Sequence, residues 1–440
     1  MTHRRLGLSV SVIAAVVAAF SFSPASAAGT VGLTVDDAQL QAMSTTVGGV
    51  AGAPALNTGN TVAHWFGATT NPNNGITYGY NMVGADPSLN SSTTVEVDIT
   101  PVDVNVGGRS YVASSPAFIQ AILDSPMFAN NDYGSTPFAT AAGAFPNAPL
   151  RIRGAGGALS QGDAGNQLQL EDATMRAQFN KTGASGYHLK LHANVLPAAT
   201  VNVPSEQGTL LTSGRGVTVG DVNIAWWATR IQNLIQGSDP THLPVILTNN
   251  VLLHIGPNPL NCCVIGFHGA GIVPGKSNGS VHGNGSQPVI TYAWASWVTA
   301  GFYARANGGT NWALQDIHPL SHEIAEWGDD PFVNNLVQPW LTPTAPQYGC
   351  TNILETGDPV VAIGFAKGTN TFDQAKNPNG TQSSDGFYHP EDEVYLPWFM
   401  RTSPNNISEP TQTASANVGR YTLMGSLNPF AGFGVPATGC

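Results

Sequence analysis

The chain has 440 residues, of which 42% are hydrophobic and only 10% are charged, and its formal net charge is −11. The apolar content can bury a large core in one domain or two. The acidic balance and the lack of a Lys/Arg cluster argue against nucleic acid and against anionic membranes as partners. The low charge, together with 50 Gly and 31 Pro, is typical of an exported bacterial protein.

The N-terminus has the pattern of a secretory signal peptide. Arg4 and Arg5 precede the apolar run LGLSVSVIAAVVAAF, and small residues follow at positions 25–27. The apolar run is short for a membrane span, and Pro24 follows it closely. We therefore expect residues 1–27 to be cleaved. The mature chain is then secreted, extracellular or periplasmic, with no membrane attachment.

Residues 28–205 are predicted to form a β-rich N-terminal region, either an accessory domain or a pro-segment. TTVEVDITPVDVNVG (93–107) alternates apolar and polar residues like a half-buried strand, with Pro101 at a bend or an edge. SPAFIQAILDSPMF (115–128) is predicted to contain a short helix between prolines.

Two more stretches of this region, QLQLEDATMRAQF and YHLKLHANVL, have period two and predict strands. Three aromatic residues expected at the surface, Trp65, Tyr78 and Tyr80, suggest carbohydrate recognition as one functional hypothesis.

Residues 206–440 are predicted to form a metal-binding domain. The Ser/Gly-rich stretch at 205–216 is the predicted linker at the start of this region. DVNIAWWATRIQNLIQG predicts a helix with Asp221 as its N-cap and Gly237 as its stop. LPVILTNNVLLHI (243–255) is a β-type run.

Four cysteines, Cys262, Cys263, Cys350 and Cys440, indicate disulfides in an oxidising compartment, although free thiols remain an alternative. We expect Cys262 and Cys263 to bond elsewhere rather than to each other, because an eight-membered ring would strain the backbone. A bridge to Cys350 would tie together the segments before and after the helix described next.

The stretch LSHEIAEWGDDP carries the chemistry. On a helix, His322 and Glu326 project from the same face and can hold one metal ion, as the two His of HExxH do. Glu323 is placed to act as general base on a water molecule. Because a Glu replaces the second His, a metal other than zinc is an alternative. The alternative is that these residues form the solvent-exposed polar face of an ordinary amphipathic helix, but the neighbouring Ile324 and Trp327 favour a buried helix.

The ends of this helix are predicted from Asp316 as a cap, Pro319 in the first turn, and Gly328 followed by Asp-Asp-Pro. His318 lies on the same face as His322. It is either a polar residue of the first helical turn or a residue that contacts the metal or a substrate.

A third ligand must come from elsewhere in the chain. CTNILETGDP offers Glu355, with Asp358 as alternative ligand or as a group that orients one. His389 and His268 are further site candidates, and His389 or a tyrosine would stabilise an oxyanion. The candidate tyrosines are Tyr292, Tyr303 and Tyr388.

The order of motifs over about residues 243–360 resembles the EXORDIUM-like, phosphate-induced family of secreted proteins. These carry a strand ending in Leu-Thr, a Cys-Gly-x-His segment, an HELAE helix followed by Asn/Asp-Pro, a Trp, and a Glu-x-x-Asp-Cys segment. The matching positions here are His268, His322, Glu323, Glu326, Trp340, Glu355 and Asp358.

The chain departs from this pattern at two cysteines: Ile265 precedes Gly266, and Pro359 follows Asp358. The resemblance implies an extracellular location and a zincin-like metal site. It implies no particular disulfide pairing.

The sequence thus predicts an α+β protein, in which a β-rich N-terminal region precedes a zincin-like mixed-sheet domain with a metal-site helix. The predicted function is a secreted zinc metallopeptidase, with one divalent ion on His322, Glu326 and Glu355, and a peptide or other extracellular polymer as substrate. The alternative is a non-catalytic extracellular binding or matrix protein with a structural metal.

Overall fold

The structure is a computed structural model, and it describes most of the chain from residue 60 onward. The described residues are 50–52, 60–131, 133, 167–179, 181, 185–213, 216–272, 288–299, 302, 316–341, 350–360, 364, 367–372, 386–402 and 421–422. The predicted signal peptide, Tyr303 and Cys440 lie outside these residues.

Strands outnumber helices, and the sheets are mixed, as expected from the sequence. The strands are β1 Val50–Gly52, β2 His64–Thr70, β3 Thr77–Val83, β4 Ser92–Val106, β5 Arg109–Tyr111, β6 His188–Val195, β7 Ala199–Asn202, β8 Gly208–Thr212, β9 Thr218–Asn223, β10 Leu243–Asn249, β11 Val251–His254, β12 Cys262–Val264, β13 Gly266–Ile272, β14 Val289–Trp297, β15 Leu336–Leu341 and β16 Cys350–Ile353. The helices are α1 Pro116–Leu123, α2 Leu170–Gln178, α3 Ile224–Leu234, α4 His318–Asp329 and α5 Leu396–Phe399.

The largest sheet has seven strands, with β13, β14, β10 and β4 side by side and β5, β6 and β7 also paired to β4. β4 pairs in parallel with β10, β6 and β7, and β13 runs antiparallel to β14. Pro101 lies inside β4 rather than at an edge, between the part that pairs with β6 and the part that pairs with β7. A proline is tolerated there because the ladder on that side is interrupted.

β14 separates two hydrophobic cores, since successive side chains of a strand point to opposite faces. Ala293, Ala295 and Trp297 belong to the core that contains α4. Tyr292 and Trp294 belong to the core that contains α3. All of β14 is buried, which explains why its sequence is mostly apolar and carries no charge.

Several local predictions were wrong. QLQLEDATMRAQF forms helix α2 rather than a strand, because its period-two start is followed by the good helix formers of Leu170–Gln178. Asp221 lies in β9, and the N-cap of α3 is Asn223, whose side chain accepts a hydrogen bond from the Trp226 N–H. The expected linker at 205–216 contains strand β8, which pairs with β9.

The aromatic residues proposed for carbohydrate recognition do not form an exposed surface. Tyr78 and Tyr80 are each 6% exposed and belong to the main core. Trp65 is half-buried and packs edge-on against Tyr80 and Phe179. Among the described residues, no helix has both the length and the apolar character that crossing a membrane requires.

Cys262 and Cys263 form a disulfide with each other, contrary to expectation. The peptide bond between them is cis, and their Cα atoms are 3.0 Å apart. The expectation rested on the strain of the eight-membered ring that such a bond closes.

Candidate metal centre

Helix α4 is buried on every side, and all twelve of its residues are buried. Leu320, Ile324 and Trp327 form its apolar stripe at helical spacing and join the main core. The Trp327 indole N–H donates to the Thr291 hydroxyl at 2.9 Å, which fixes the helix on β14. A helix buried on both its apolar and polar stripes must satisfy its polar side chains inside the protein.

The N-terminus of α4 is built differently from the prediction. Ile317 is the N-cap and makes no side-chain capping bond. Asp316 instead accepts a hydrogen bond from the His389 N–H at 2.8 Å and contacts the His389 ring at 2.8 Å. Pro319 occupies the first turn as expected, and the helix ends at Asp329, one residue beyond Gly328.

The polar stripe of α4 carries His322 and Glu326, one turn apart. Glu326 Oε1 accepts hydrogen bonds from the backbone N–H groups of Gly357 at 3.2 Å and Asp358 at 3.3 Å. Its other oxygen, Oε2, lies 3.2 Å from His322 Nε2. Neither Oε2 nor Nε2 meets the geometry of a hydrogen bond, although both atoms are buried. The backbone therefore orients Glu326 so that one oxygen stays available to a ligand.

The structure brings all four predicted metal ligands together, in two groups that share Glu326. One group is His322, Glu326 and Asp358, and the other is His268, Glu326 and Glu355. In each group one potential ligand atom per residue lies within 4.8 Å of the others. The sequence placed Glu355 with His322, whereas the structure places Asp358 there and pairs Glu355 with His268.

Glu323 lies beside both groups. Its Oε2 is 3.4 Å from His268 Nδ1, and its Oε1 is 4.0 Å from His322 Nε2. Gly266 of β13 makes this possible, because a Cβ at that position would overlap the Glu323 carboxylate. Gly357 approaches the His322 ring in the same way. Two glycines thus leave room for two of the polar side chains.

Glu391 is the site residue that sequence reasoning missed. Its Oε2 lies 2.7 Å from His322 Nδ1 and 2.7 Å from His318 Nε2. A carboxylate on one ring nitrogen fixes the tautomer and directs the other nitrogen, here Nε2, toward a metal. The acidic run PEDE, beside His389 in a chain so poor in charge, was the available signal.

Burial and neighbouring charges set the acidities of the cluster. Burial raises the pKa of Glu323 to about 7. Burial, reinforced by the charge of Glu326, raises the pKa values of Glu355 and Asp358 well above their usual range. At Glu326 burial raises the pKa, but the attraction of His322 and His268 together with side-chain hydrogen bonding outweighs it, so the pKa is lowered. The cluster without a cation thus holds one readily ionised acid surrounded by acids that resist ionisation.

The structure describes three of the four predicted oxyanion groups, and none of these three belongs to a ligand group. His389 pairs with Asp316 at the start of α4 and belongs to neither ligand group. Tyr388 donates its hydroxyl hydrogen bond to the Ala121 carbonyl oxygen at 2.8 Å. Tyr292 packs in the core on the opposite face of β14 from α4.

Comparison of the chain with models of known protein families, with curated proteins and with solved structures finds no match.

Proposed function

We propose that this protein is a secreted metal-dependent hydrolase, a zincin-like peptidase, whose centre is Glu326 of α4. The observation that carries the proposal is that buried ligand atoms with no hydrogen-bond partner converge in two overlapping groups of three residues. These atoms are His322 Nε2, Glu326 Oε2, Asp358 Oδ1, both ring nitrogens of His268 and both carboxylate oxygens of Glu355. Leaving such atoms unsatisfied costs free energy, and a divalent cation would satisfy several at once.

The donor set fits a divalent transition metal. Imidazole nitrogen and carboxylate oxygen both suit zinc, and the greater share of carboxylates also suits manganese or iron. A bound ion would supply Lewis-acid activation of a carbonyl group and of water.

The chain's own residues have distinct roles in this proposal. Glu391 holds the His322 ring, and the N–H groups of Gly357 and Asp358 hold Glu326. Glu323 lies next to both imidazoles and is the group placed to accept a proton from the attacking water. The substrate is a peptide or another extracellular polymer, since the N-terminal sequence predicts secretion.

The test is the Glu323→Gln variant of the purified protein. It should bind the same amount of metal and lose hydrolysis of an unfolded protein substrate by about 10²–10⁴-fold, the usual contribution of a general base. Glu171→Gln is the matched control, because Glu171 is equally buried, lies on α2 against Gly328 of α4, and belongs to neither ligand group. Equal hydrolysis by wild type and Glu323→Gln would refute the proposal.

Burial of the whole cluster favours a second candidate, a structural metal in a non-catalytic extracellular protein. His268, His322, Glu323, Glu326, Glu355 and Asp358 are all at most 5% exposed. Structural metal sites are closed, whereas catalytic ones keep a position open to water or substrate. This candidate predicts metal binding without hydrolysis, and a loss of thermal stability in His322→Ala.

A further inference from the structure

We propose that the centre holds two divalent ions bridged by Glu326, rather than the single ion that the sequence suggested. The inference rests on the proposed metal centre and deepens it. Its first support is the division of the ligands into two three-residue groups with one member in common. Each group contains one imidazole and two carboxylates, so each is a plausible set for one ion.

The position of one atom supports a bridge. Glu326 Oε2 lies 3.2 Å from His322 Nε2 and 3.6 Å from His268 Nδ1. Ligands of a tetrahedral ion with bonds of about 2.0–2.2 Å are roughly 3.3–3.6 Å apart. The same oxygen is therefore at ligand-to-ligand distance from both imidazoles. The other oxygen of Glu326 already accepts two backbone hydrogen bonds.

The remaining members of each group lie on their own sides. Asp358 Oδ1 is 3.8 Å from His322 Nε2. Glu355 Oε2 is 4.0 Å from His268 Nε2. Each group thus has a carboxylate of its own, and within each group one ligand atom per residue lies within 4.8 Å of the others. Ions that share a carboxylate in this way are typically about 3.5–4 Å apart.

The balance of charge points to the same number of ions. Five buried carboxylates contact the two imidazoles, those of Glu323, Glu326, Glu355, Asp358 and Glu391. Among the residues that the structure describes, the ion pairs of these carboxylates involve histidines alone. A divalent ion balances at most two ionised carboxylates, so a single bound ion would leave more negative charge uncompensated in this buried site than two ions would. Uncompensated buried charge is strongly unfavourable.

The experiment loads the full mature chain, stripped with a chelator, with Mn²⁺ and counts bound ions by elemental analysis. We expect two equivalents, and an electron paramagnetic resonance spectrum of two exchange-coupled ions in the wild type. One equivalent, or two equivalents with isolated-ion spectra, would overturn the inference. The spectrum needs no substitution, so it does not depend on a variant that folds.

Single substitutions assign each ion. His268→Ala and His322→Ala should each retain one equivalent and lose the coupled spectrum. His254→Ala is the matched control, because His254 is also buried and paired with a carboxylate, and it should retain two equivalents. If one variant lost both ions while the other lost none, the two-site assignment would be wrong.

The outcome separates this inference from the proposed function. Two coupled ions in a protein without hydrolytic activity would support the inference and refute the hydrolase. Hydrolysis that depends on Glu323, with a single bound ion, would do the reverse.

Discussion

Two buried histidine–carboxylate sites in this molecule differ in the number of acids that surround each histidine. In the four-stranded sheet, His254 of β11 lies 3.0 Å from Asp221 of β9. Burial lowers the pKa of His254 and raises the pKa of Asp221 to about 8, so both groups are neutral in the folded protein near pH 7. In the α4 cluster, which comprises His268, His322, Glu323, Glu326, Glu355 and Asp358, the pKa of Glu326 is lowered while the pKa values of Glu355 and Asp358 are raised, so charged and neutral acids lie side by side. The buried pair becomes neutral by its own protonation, whereas we propose that an external cation balances the larger cluster.

Removal of metal should give the largest difference between the two sites, because it should destabilise the α4 cluster and leave the Asp221 pair unaffected. A ligand present at about a thousand times its dissociation constant stabilises the fold by about 4 kcal/mol. We therefore expect a chelator to lower the melting temperature of the wild type, measured by calorimetry, and added Zn²⁺ or Mn²⁺ to restore it. An unchanged melting temperature would place the α4 cluster in the same class as the Asp221 pair.

Substitution of one imidazole should have the next largest effect. His322→Ala should reduce the stabilisation that added metal gives, whereas His254→Ala should leave that metal-dependent increment as in the wild type. Both variants lose a buried side chain, so both are expected to be less stable than the wild type by about 1–3 kcal/mol without metal. Calorimetric scans with and without metal distinguish the two contributions.

Loss of the orienting carboxylate should weaken metal binding without abolishing it. Groups that orient a ligating histidine contribute about 10–100-fold to metal affinity. Glu391→Gln should raise the metal dissociation constant by that factor, measured by competition with a chromophoric chelator. Glu96→Gln is a useful comparison, because Glu96 contacts His192 at the surface. An unchanged affinity in Glu391→Gln would mean that the His322 ring is held by packing alone.

Substitution of Asp221 should leave the metal affinity of the α4 cluster unchanged and affect only the pH dependence of the free energy of unfolding. Because the folded-state pKa is about 8 and the unfolded value about 3.9, the folded protein holds this proton more tightly. The stabilisation that this proton gives to the fold is complete below about pH 4, falls as the pH rises, and is lost above about pH 8. The free energy of unfolding, measured by urea denaturation with chelator present, should fall between pH 5 and pH 8 in the wild type and fall less in Asp221→Asn. An equal fall in both proteins would contradict this prediction.

The sequence was most informative where one periodicity dominates. The alternation of β4 and the four-residue spacing of His322 and Glu326 each follow from a single repeat, and the structure places both as expected. Helix α2 was missed because its period-two start lies outside the helical residues. The Asn223 cap was missed because Asp221, two residues earlier, satisfies the same composition rule.

The composition of the site was harder to predict than its helix. Glu355 and Asp358 are three residues apart, and only the tertiary fold decides that one lies near His268 and the other near His322. Glu391 is 69 residues from His322 in sequence, and no local pattern links them. The bond between Cys262 and Cys263 was likewise not predictable, because four cysteines allow three pairings and sequence alone does not choose among them.

The interior position of β4 has a consequence for any attempt to divide this chain. Its fifteen residues come from the N-terminal region, yet they pair with β10, which neighbours the strands beneath α4. A fragment beginning at residue 206 would keep His322 and Glu326 but leave the backbone groups along one side of β10 without a partner. An unprotected apolar strand of this kind recruits other chains. Expression of the C-terminal part alone is therefore expected to give aggregates.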